Sequence, residues 1–217
     1  QYVHNDICFP AQIVIGEALA ALRSGRYDDK HTAIAMGKYI GDCRLTHYGA
    51  LLRKALDDAG YSHVPILTND DRDYHNLHPG FHMNLFTSMR IAFALPMIDA
   101  LEELLRKMRP YEKAPGSAEQ AFEAAMDQVV EGLSRRGVLG ARRGFKKAIS
   151  LMKQVDYDRT RPRPRVLIVG EYLLNFHPGA NHDIEAYLEK NGFEVIEARM
   201  TDVIRKTYFY QDAQVRE

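Results

Sequence analysis

The spacing of apolar residues predicts helices that alternate with short strands over residues 1–80. Residues 11–23 and 44–59 carry apolar side chains every three or four positions, the period of an amphipathic helix. Residues 32–36 and 64–67 are short, continuous apolar runs, which are typical of buried strands in a parallel sheet. This order predicts an α/β domain with helices packed on a parallel sheet, and we expect residues 1–80 to form the C-terminal part of a first Rossmann-like domain.

The pattern becomes helical throughout residues 81–160. We predict three helices there, at about residues 82–108, 117–134 and 141–155. Ser117, followed three residues later by a glutamine, matches a capping box at the start of the second helix. This part of the chain is therefore predicted to be a helical segment that links two α/β domains.

Residues 161–217 return to strand and helix signals. An apolar run at residues 166–169 ends in a glycine turn, and Asn181 or Asp183 is a candidate start for the helix that follows. Residues 193–196 form the next apolar run. The resulting β–turn–α–β order is the opening of a Rossmann-like domain, so we expect a second α/β domain to start here.

Composition narrows the classes of protein without naming one. The 217 residues include 29 Lys plus Arg and 29 Asp plus Glu, and this balance gives no reason to expect a nucleic-acid or membrane partner. No apolar run approaches the roughly 20 residues that span a bilayer. Two cysteines do not make a disulfide framework, so we expect reduced thiols in the cytoplasm. The chain starts without a methionine, and we expect an internal piece of a larger protein.

Two cysteines are the strongest candidates for chemistry. Cys8 and Cys43 each lie directly before a predicted helix, where the dipole and the free N–H groups stabilise a thiolate. If both lie at strand-to-helix turns, they meet at the edge of the sheet where open α/β domains place their sites. Arg44 adds positive charge beside the second thiol. The alternative, two ordinary buried cysteines, explains the same positions and stays open, since the spacing is not a CxxC motif.

Other polar residues allow weaker hypotheses. Glu171 follows the glycine turn and either binds a ligand or answers the dipole of the next helix, and Asn175 and Asn181 are expected to hold that turn through hydrogen bonds. Three histidines are spaced closely enough to bind zinc or nickel, although a solvated loop is the favoured interpretation. A basic run is interpreted as a solvated or docking surface. The histidines are His75, His78 and His82, and the basic run is Arg135, Arg136, Arg142, Arg143, Lys146 and Lys147.

Three separated stretches resemble signatures of one known family. Residues 5–16 (NDICFPAQIVIG), residues 41–48 (GDCRLTHY), and residues 169–172 (VGEY) with the later Asn175 and Asn181 are similar to stretches of the activase-related branch of the 2-hydroxyacyl-CoA dehydratase superfamily. That branch includes proteins fused to an ATPase activator module and double-cubane cluster proteins. The resemblance covers most of the chain and is thinnest in the helical middle.

The resemblance implies an iron–sulfur protein. Family members hold a [4Fe–4S] or related cluster between Rossmann-like domains, usually through three cysteines, and Cys8 and Cys43 match two of them. Gly41 and Arg44 beside the second thiol, together with Glu171, are then candidate cofactor-binding residues. No third cysteine exists in the sequence, so the remaining ligand must come from elsewhere, and we expect this piece to be inactive alone.

The same resemblance implies partners. An activator ATPase or partner subunit delivers a low-potential electron, which drives a difficult reduction or the dehydration of an acyl-CoA thioester. A homodimer is also expected, because exposed half-domains often associate. The alternative is a non-catalytic scaffold that docks an activator ATPase through its long helices and basic run. No catalytic residue can be assigned from the sequence, and the absence of GxxxxGK[ST] and GxGxxG loops gives no reason to expect ATP hydrolysis or NAD binding.

Overall fold

The chain forms two compact units in the computed structural model, which describes residues 2–37, 43–68 and 84–206. The N-terminal unit is Gln1–His82 and the C-terminal unit is Met83–Glu217. Each unit contains one two-stranded parallel sheet, and most of the other described residues are helical. The protein is therefore a mixed α/β chain dominated by helices.

The N-terminal unit follows the predicted helix–strand–helix–strand order. Its elements are α1 (Phe9–Arg23), β1 (Ile34–Met36), α2 (Tyr48–Asp58) and β2 (Ile66–Thr68), with 3₁₀ turns at Asp29–His31 and Arg44–His47. Strands β1 and β2 pair in parallel, with Ile34 opposite Ile66. The prediction of a parallel pair flanked by helices is thus confirmed for this unit, although residues 44–47 form a 3₁₀ turn and not the first turn of α2.

The core of the N-terminal unit joins both helices to the sheet. Ile15 of α1, Leu52 and Leu56 of α2 and Ile66 of β2 are almost fully buried in one apolar cluster. Arg53, on the same helix, donates hydrogen bonds to the backbone carbonyls of residues 61 and 64 at 3.0 and 2.7 Å. These bonds fix the chain between α2 and β2, and they position the N-terminal end of α2 relative to the strands.

The C-terminal unit contains a helical half and an α/β half. Its elements are α3 (Leu85–Met108), a 3₁₀ turn (Arg109–Tyr111), α4 (Ser117–Met152), β3 (Arg165–Leu167), α5 (Tyr172–Phe176), α6 (Pro178–Asn181), α7 (Ile184–Lys190) and β4 (Glu194–Ile196). Residues 200–206 are also helical. Strands β3 and β4 pair in parallel, so the predicted β–turn–α–β order is confirmed. The short helices α5 and α6 were not predicted.

Helix α4 is a hairpin of two helical arms. Arg136 and Gly137 leave the helical conformation, and Gly137 has φ +57°, which favours glycine. The second arm turns back along the first, because a Cβ at Gly144 would lie 2.9 Å from the carbonyl carbon of Gln128. The predicted break between two helices is confirmed. The break is shorter than the predicted gap between about residues 134 and 141, since only Arg136 and Gly137 leave the helical conformation.

The first arm of α4 is capped by a residue outside the helix. Glu112 accepts hydrogen bonds from the backbone N–H groups of Gly116 and Ala118 at 2.7 and 2.8 Å, and from the hydroxyl of Ser117 at 3.3 Å. Ser117 is the first helical residue, and Gly116 occupies the N-cap. The predicted capping box at Ser117 is therefore wrong, because a carboxylate five residues upstream takes its place.

Helix α3 has an exposed half and a packed half. Its second half contributes Leu101, Leu105 and Met108 to an apolar core shared with both arms of α4. Pro96 lies inside the helix, between this packed part and the first eleven residues, where large apolar side chains remain exposed. Over residues 2–37, 43–68 and 84–206, no helix is both long and apolar enough to cross a membrane.

The close approach of the α4 arms generates a stability prediction. Substitution Gly144→Ala places a methyl group against the backbone of Gln128, and we expect it to destabilise the C-terminal unit by about 2 kcal/mol. Substitution Gly16→Ala is the matched control, since this exposed position inside α1 has open space around it. It should stabilise the protein by up to about 1 kcal/mol. Urea unfolding followed by circular dichroism measures both, and equal effects would contradict the packing argument.

Candidate functional site

Cys8 occupies the N-cap of α1. Its carbonyl accepts hydrogen bonds from the N–H groups of Ala11 and Gln12 at 3.0 and 3.3 Å, which starts the helix. Its side chain makes no cap bond to the helix. The half-buried thiol lies 2.9 Å from the hydroxyl of Tyr48. The predicted position directly before a helix is confirmed, although residues 2–8 contain no strand and Cys8 does not follow a strand-to-helix turn.

Cys43 occupies the N-cap of the 3₁₀ turn Arg44–His47. Its Sγ accepts the backbone N–H of Leu45 at 3.5 Å, and its carbonyl accepts the hydroxyl of Thr46 at 3.1 Å. The residue is exposed, and so is Arg44 beside it. Cys43 lies between β1 and α2 along the chain, as predicted, and its thiol already receives a hydrogen bond of the type that ligating sulfurs receive.

Both cysteines adjoin the N-terminal end of α2. Tyr48 is the first residue of α2 and contacts the thiol of Cys8, while the 3₁₀ turn that Cys43 begins runs directly into the same helix end. Next to it, a Cβ at Gly49 would lie 3.8 Å from the side chain of Thr68 at the carboxyl end of β2. The two soft sulfur donors therefore lie toward the carboxyl edge of the parallel pair, where α/β proteins bind ligands.

Several predicted site residues lie outside the part of the chain that the structure describes. Gly41 and the histidines His75, His78 and His82 lie outside the described residues. Within the described ranges, no three His, Cys, Asp or Glu side chains are grouped so that they could share a metal ion. The predicted ligand roles of Cys8 and Cys43 and the predicted binding role of Gly41 stay predictions.

Glu171 and Asn181 make side-chain hydrogen bonds in the segment after β3 in the C-terminal unit, and the expected role of Asn175 stays a prediction. Glu171 is the N-cap of α5 and accepts the N–H of Leu174 at 3.3 Å. Asn181 donates to the carbonyl of Leu174 at 2.8 Å and accepts the N–H of Ile184 at 3.4 Å. The structural role expected for Asn181 is confirmed. Glu171 caps the N-terminus of α5, which is the structural alternative predicted for it. Its binding of a ligand stays a prediction.

A cleft that the sequence did not reveal lies between α3, helices α5 to α7 and β4. Its volume is about 710 Å³. Arg109 donates to Glu189 at 2.6 and 3.0 Å, to Glu119 at 3.0 Å, and also to Glu185, while Arg106 pairs with Glu185. The arginines are occupied by these carboxylates, so the cleft wall is an ion-pair network that holds α7 against α3. Neither Arg106 nor Arg109 is therefore free to bind a phosphate, although Lys190 also lines the cleft.

Burial and pairing compete within this network. Burial alone would lower the pKa of Arg109, but its hydrogen bonds and ion pairs with Glu189, Glu185 and Glu119 raise that pKa above its ordinary value. Burial raises the pKa of Glu189, and the bond to Arg109 only partly opposes this. Burial also raises the pKa of Glu197, against the attraction of a neighbouring arginine. The desolvation cost of burying these carboxylates is therefore only partly offset by the arginines that they bind.

A second buried node joins the end of α3 to the second sheet. The hydroxyl of Tyr111 donates to Glu194 of β4 at 2.8 Å and accepts the N–H of Arg163 at 2.9 Å. Arg159 donates to the same carboxylate at 2.5 Å and lies over the tyrosine ring. Burial would raise the pKa of Glu194, but the bonds from Tyr111 and Arg159 hold it below its ordinary value.

The basic run lies on the α4 hairpin. Arg135 pairs with Glu131 at 3.1 Å on the first arm, and Arg136 is at the turn. The other four cations follow on the second arm, and all six are exposed. The run is therefore a helical surface and not a phosphate-binding loop. Its remaining members are Arg142, Arg143, Lys146 and Lys147.

Comparisons with known proteins do not assign this chain to a family. No family model, no curated protein and no solved structure matches it. The resemblance to the 2-hydroxyacyl-CoA dehydratase superfamily therefore stays a prediction, and any function must be argued from the residues themselves.

The environments of the two thiols generate a reactivity prediction. Cys43 is exposed, whereas the thiol of Cys8 is half-buried against Tyr48. We expect iodoacetamide to alkylate Cys43 before Cys8, because limited solvent access slows the reaction of the Cys8 thiol. Mass spectrometry of the chain after short exposures measures the order. Equal rates, or faster modification of Cys8, would contradict the arrangement.

The depressed pKa of Glu194 generates a pH prediction. A carboxylate whose folded pKa is lowered stabilises the protein above its unfolded pKa, near 4.5, and this stabilisation is lost as pH falls through the lower folded pKa. Substitution Glu194→Gln should therefore cost about 1.5 kcal/mol at pH 7, and the difference from the unsubstituted protein should shrink below pH 4.5. Urea unfolding across that window measures it, and a difference independent of pH would contradict the charge-based account.

Proposed function

We propose that Cys8 and Cys43 are two thiolate ligands of a [4Fe–4S] or related iron–sulfur cluster. The observation that carries this proposal is that both cysteines adjoin the N-terminal end of α2, where the thiol of Cys8 contacts Tyr48 and Cys43 begins the turn that leads into the helix. Thiolates select iron–sulfur clusters over hard cations, so this donor pair fits the chemistry.

The surroundings of the thiols fit a cluster in part. The N–H of Leu45 points at the Sγ of Cys43, and the hydroxyl of Tyr48 can donate to the Sγ of Cys8. Hydrogen bonds to sulfur tune the reduction potential of a cluster, and its chemistry would be one-electron transfer. The two cysteines would supply two of the cluster's thiolates, and since residues 1–217 hold no third cysteine, the remaining ligation would come from elsewhere.

The wider proposal is a role in ATP-coupled, low-potential electron transfer within the 2-hydroxyacyl-CoA dehydratase superfamily. An activator ATPase or partner subunit would supply the electron, and a reductase or an acyl-CoA dehydratase would use it. The resemblance of three sequence stretches supports this role. Cys43 and Arg44 are exposed, which leaves that side of the site accessible to a partner.

We extend the proposal to the fold. Both parallel pairs, β1–β2 and β3–β4, are connected through helices, as in βαβ units. Parallel sheets normally have more strands and are covered on both faces. Each pair is therefore proposed to belong to a larger Rossmann-like sheet.

A second candidate is a non-catalytic scaffold that docks an activator ATPase. The observation that favours it is the basic surface on α4, which has six exposed cations. One of them, Arg135, forms an ion pair with Glu131. A solvated surface with so few ion pairs attracts acidic partners and accelerates their association.

Reconstitution tests the ligand proposal. The intact protein is incubated anaerobically with iron and sulfide, then iron content and visible absorption are measured. We expect Cys8→Ala and Cys43→Ala each to lose most of the charge-transfer absorption of the unsubstituted protein, because each removes a thiolate that no neighbour replaces.

Tyr48→Phe is the matched control for this experiment. It keeps the ring beside Cys8 and removes only the hydroxyl, so iron content should persist while the reduction potential shifts. If both cysteine variants retain the iron content and absorption of the unsubstituted protein, the ligand assignment is wrong.

A further inference from the structure

The first half of α3 exposes a dense set of large apolar side chains. Five of them, within nine residues, are between 42% and 75% exposed. Monomeric proteins rarely leave so much contiguous apolar surface in water, and such patches mark interaction sites. The five residues are Leu85, Phe86, Met89, Ile91 and Phe93.

Four of the five share one face. At about 100° per residue, the side chains of Leu85, Phe86, Met89 and Phe93 fall within about 100° of the helix circumference. Ile91 lies on the other side. The four residues form an apolar stripe a little over two turns long, with the spacing of anchors in helix-mediated recognition. We call them the α3 stripe.

The charges around the α3 stripe are positive. From the start of α3 up to Asp99 the sequence contains no carboxylate and one cation, Arg90. The hairpin turn of α4 lies beside that cation, because a Cβ at Gly137 would be 3.6 Å from the Nε of Arg90. The turn also carries the exposed Arg136, and Arg142 and Arg143 follow within about 9 Å along the second arm.

This charge arrangement argues against two occupants. A second copy packed on the same stripe would place its own Arg90 and hairpin cations against identical ones, which costs free energy. A helix that lies on a membrane keeps a strongly charged face toward water, and α3 has a single charged residue before Asp99. The remaining occupant is a protein segment with an apolar stripe of its own and carboxylates at its edges.

We propose that the α3 stripe and the adjacent hairpin cations are a docking surface for an acidic amphipathic helix of a partner protein. Apolar contact with Phe86, Met89 and Phe93 supplies affinity, and carboxylates of the partner pair with Arg90 and with the cations of the hairpin. The surface goes beyond the thiol site and stands whether or not Cys8 and Cys43 bind a cluster.

Peptide binding to the full chain tests the docking surface. The probes are a synthetic amphipathic helical peptide with glutamates flanking its apolar stripe and the same peptide with lysines at those positions. Fluorescence anisotropy should show that the glutamate peptide binds at least about tenfold more tightly, and that added salt weakens it. The double variant Phe86→Ser/Phe93→Ser should lose about tenfold in affinity, since two anchors are removed.

Two further variants separate the contributions. Ile91→Ser, on the other side of the same exposed helix segment, should leave the affinity within about twofold, because Ile91 lies outside the α3 stripe. Arg142→Glu/Arg143→Glu should weaken binding of the glutamate peptide and strengthen binding of the lysine peptide. Because both arginine side chains are exposed, this variant should fold, and it tests the proposal even if Phe86→Ser/Phe93→Ser misfolds.

Several outcomes would overturn the proposal. Equal binding of the two peptides, or affinity unaffected by Phe86→Ser/Phe93→Ser, would exclude the acidic helix as occupant. Binding to vesicles of phosphatidylcholine with phosphatidylserine, lost in the same double variant, would assign the surface to a membrane instead. Self-association abolished by that variant would assign it to a second copy. Iron reconstitution tests the cluster ligands and peptide binding tests the docking surface, so failure of one proposal can be told from failure of the other.

Discussion

The ion pairs between α3 and the second sheet region support the whole C-terminal unit. A two-stranded sheet is marginal in water, and β3 and β4 bury too little surface to be stable alone. Arg109 reaches Glu185 and Glu189 of α7, and Tyr111, just beyond the helix, binds Glu194 of β4. The end of α3 is fixed in turn by its apolar packing against α4. The helical hairpin therefore stabilises the α/β half through the second half of α3 and the turn that follows it.

Local signals predicted much of the fold. The helical period identified α1 and the buried face of α2, and short apolar runs located the four strands to within a few residues. The signals failed where a distant residue decides the outcome. Glu112 caps α4 in place of the expected capping box, and Gly144 has its role only because a second helix arm lies against it. Neither contact leaves a periodic trace in the sequence.

The candidate site, like the fold, was predictable from the sequence only where local residues determine it. The positions of Cys8 and Cys43 before helical turns followed from local sequence, because proline and polar residues mark where those turns begin. The contact between Cys8 and Tyr48 joins residues far apart in the chain, so only the fold reveals it. The arginine clusters of the cleft were missed for the same reason. Arg109 and Glu189 are widely separated in sequence, and single charged residues in helices give no sign of their partners.

The two proposals share one physical property: each needs protein atoms beyond the residues that it names. As cluster ligands, Cys8 and Cys43 would leave further ligands to be supplied, and an exposed apolar stripe loses the free energy that its burial would supply. Retaining both features costs stability and solubility in an isolated chain. That cost is offset only if other protein atoms complete the ligand set and cover the stripe. Both proposals therefore point to a chain that works in an assembly, with Cys43 and Phe86 as the exposed positions from which partners can be sought.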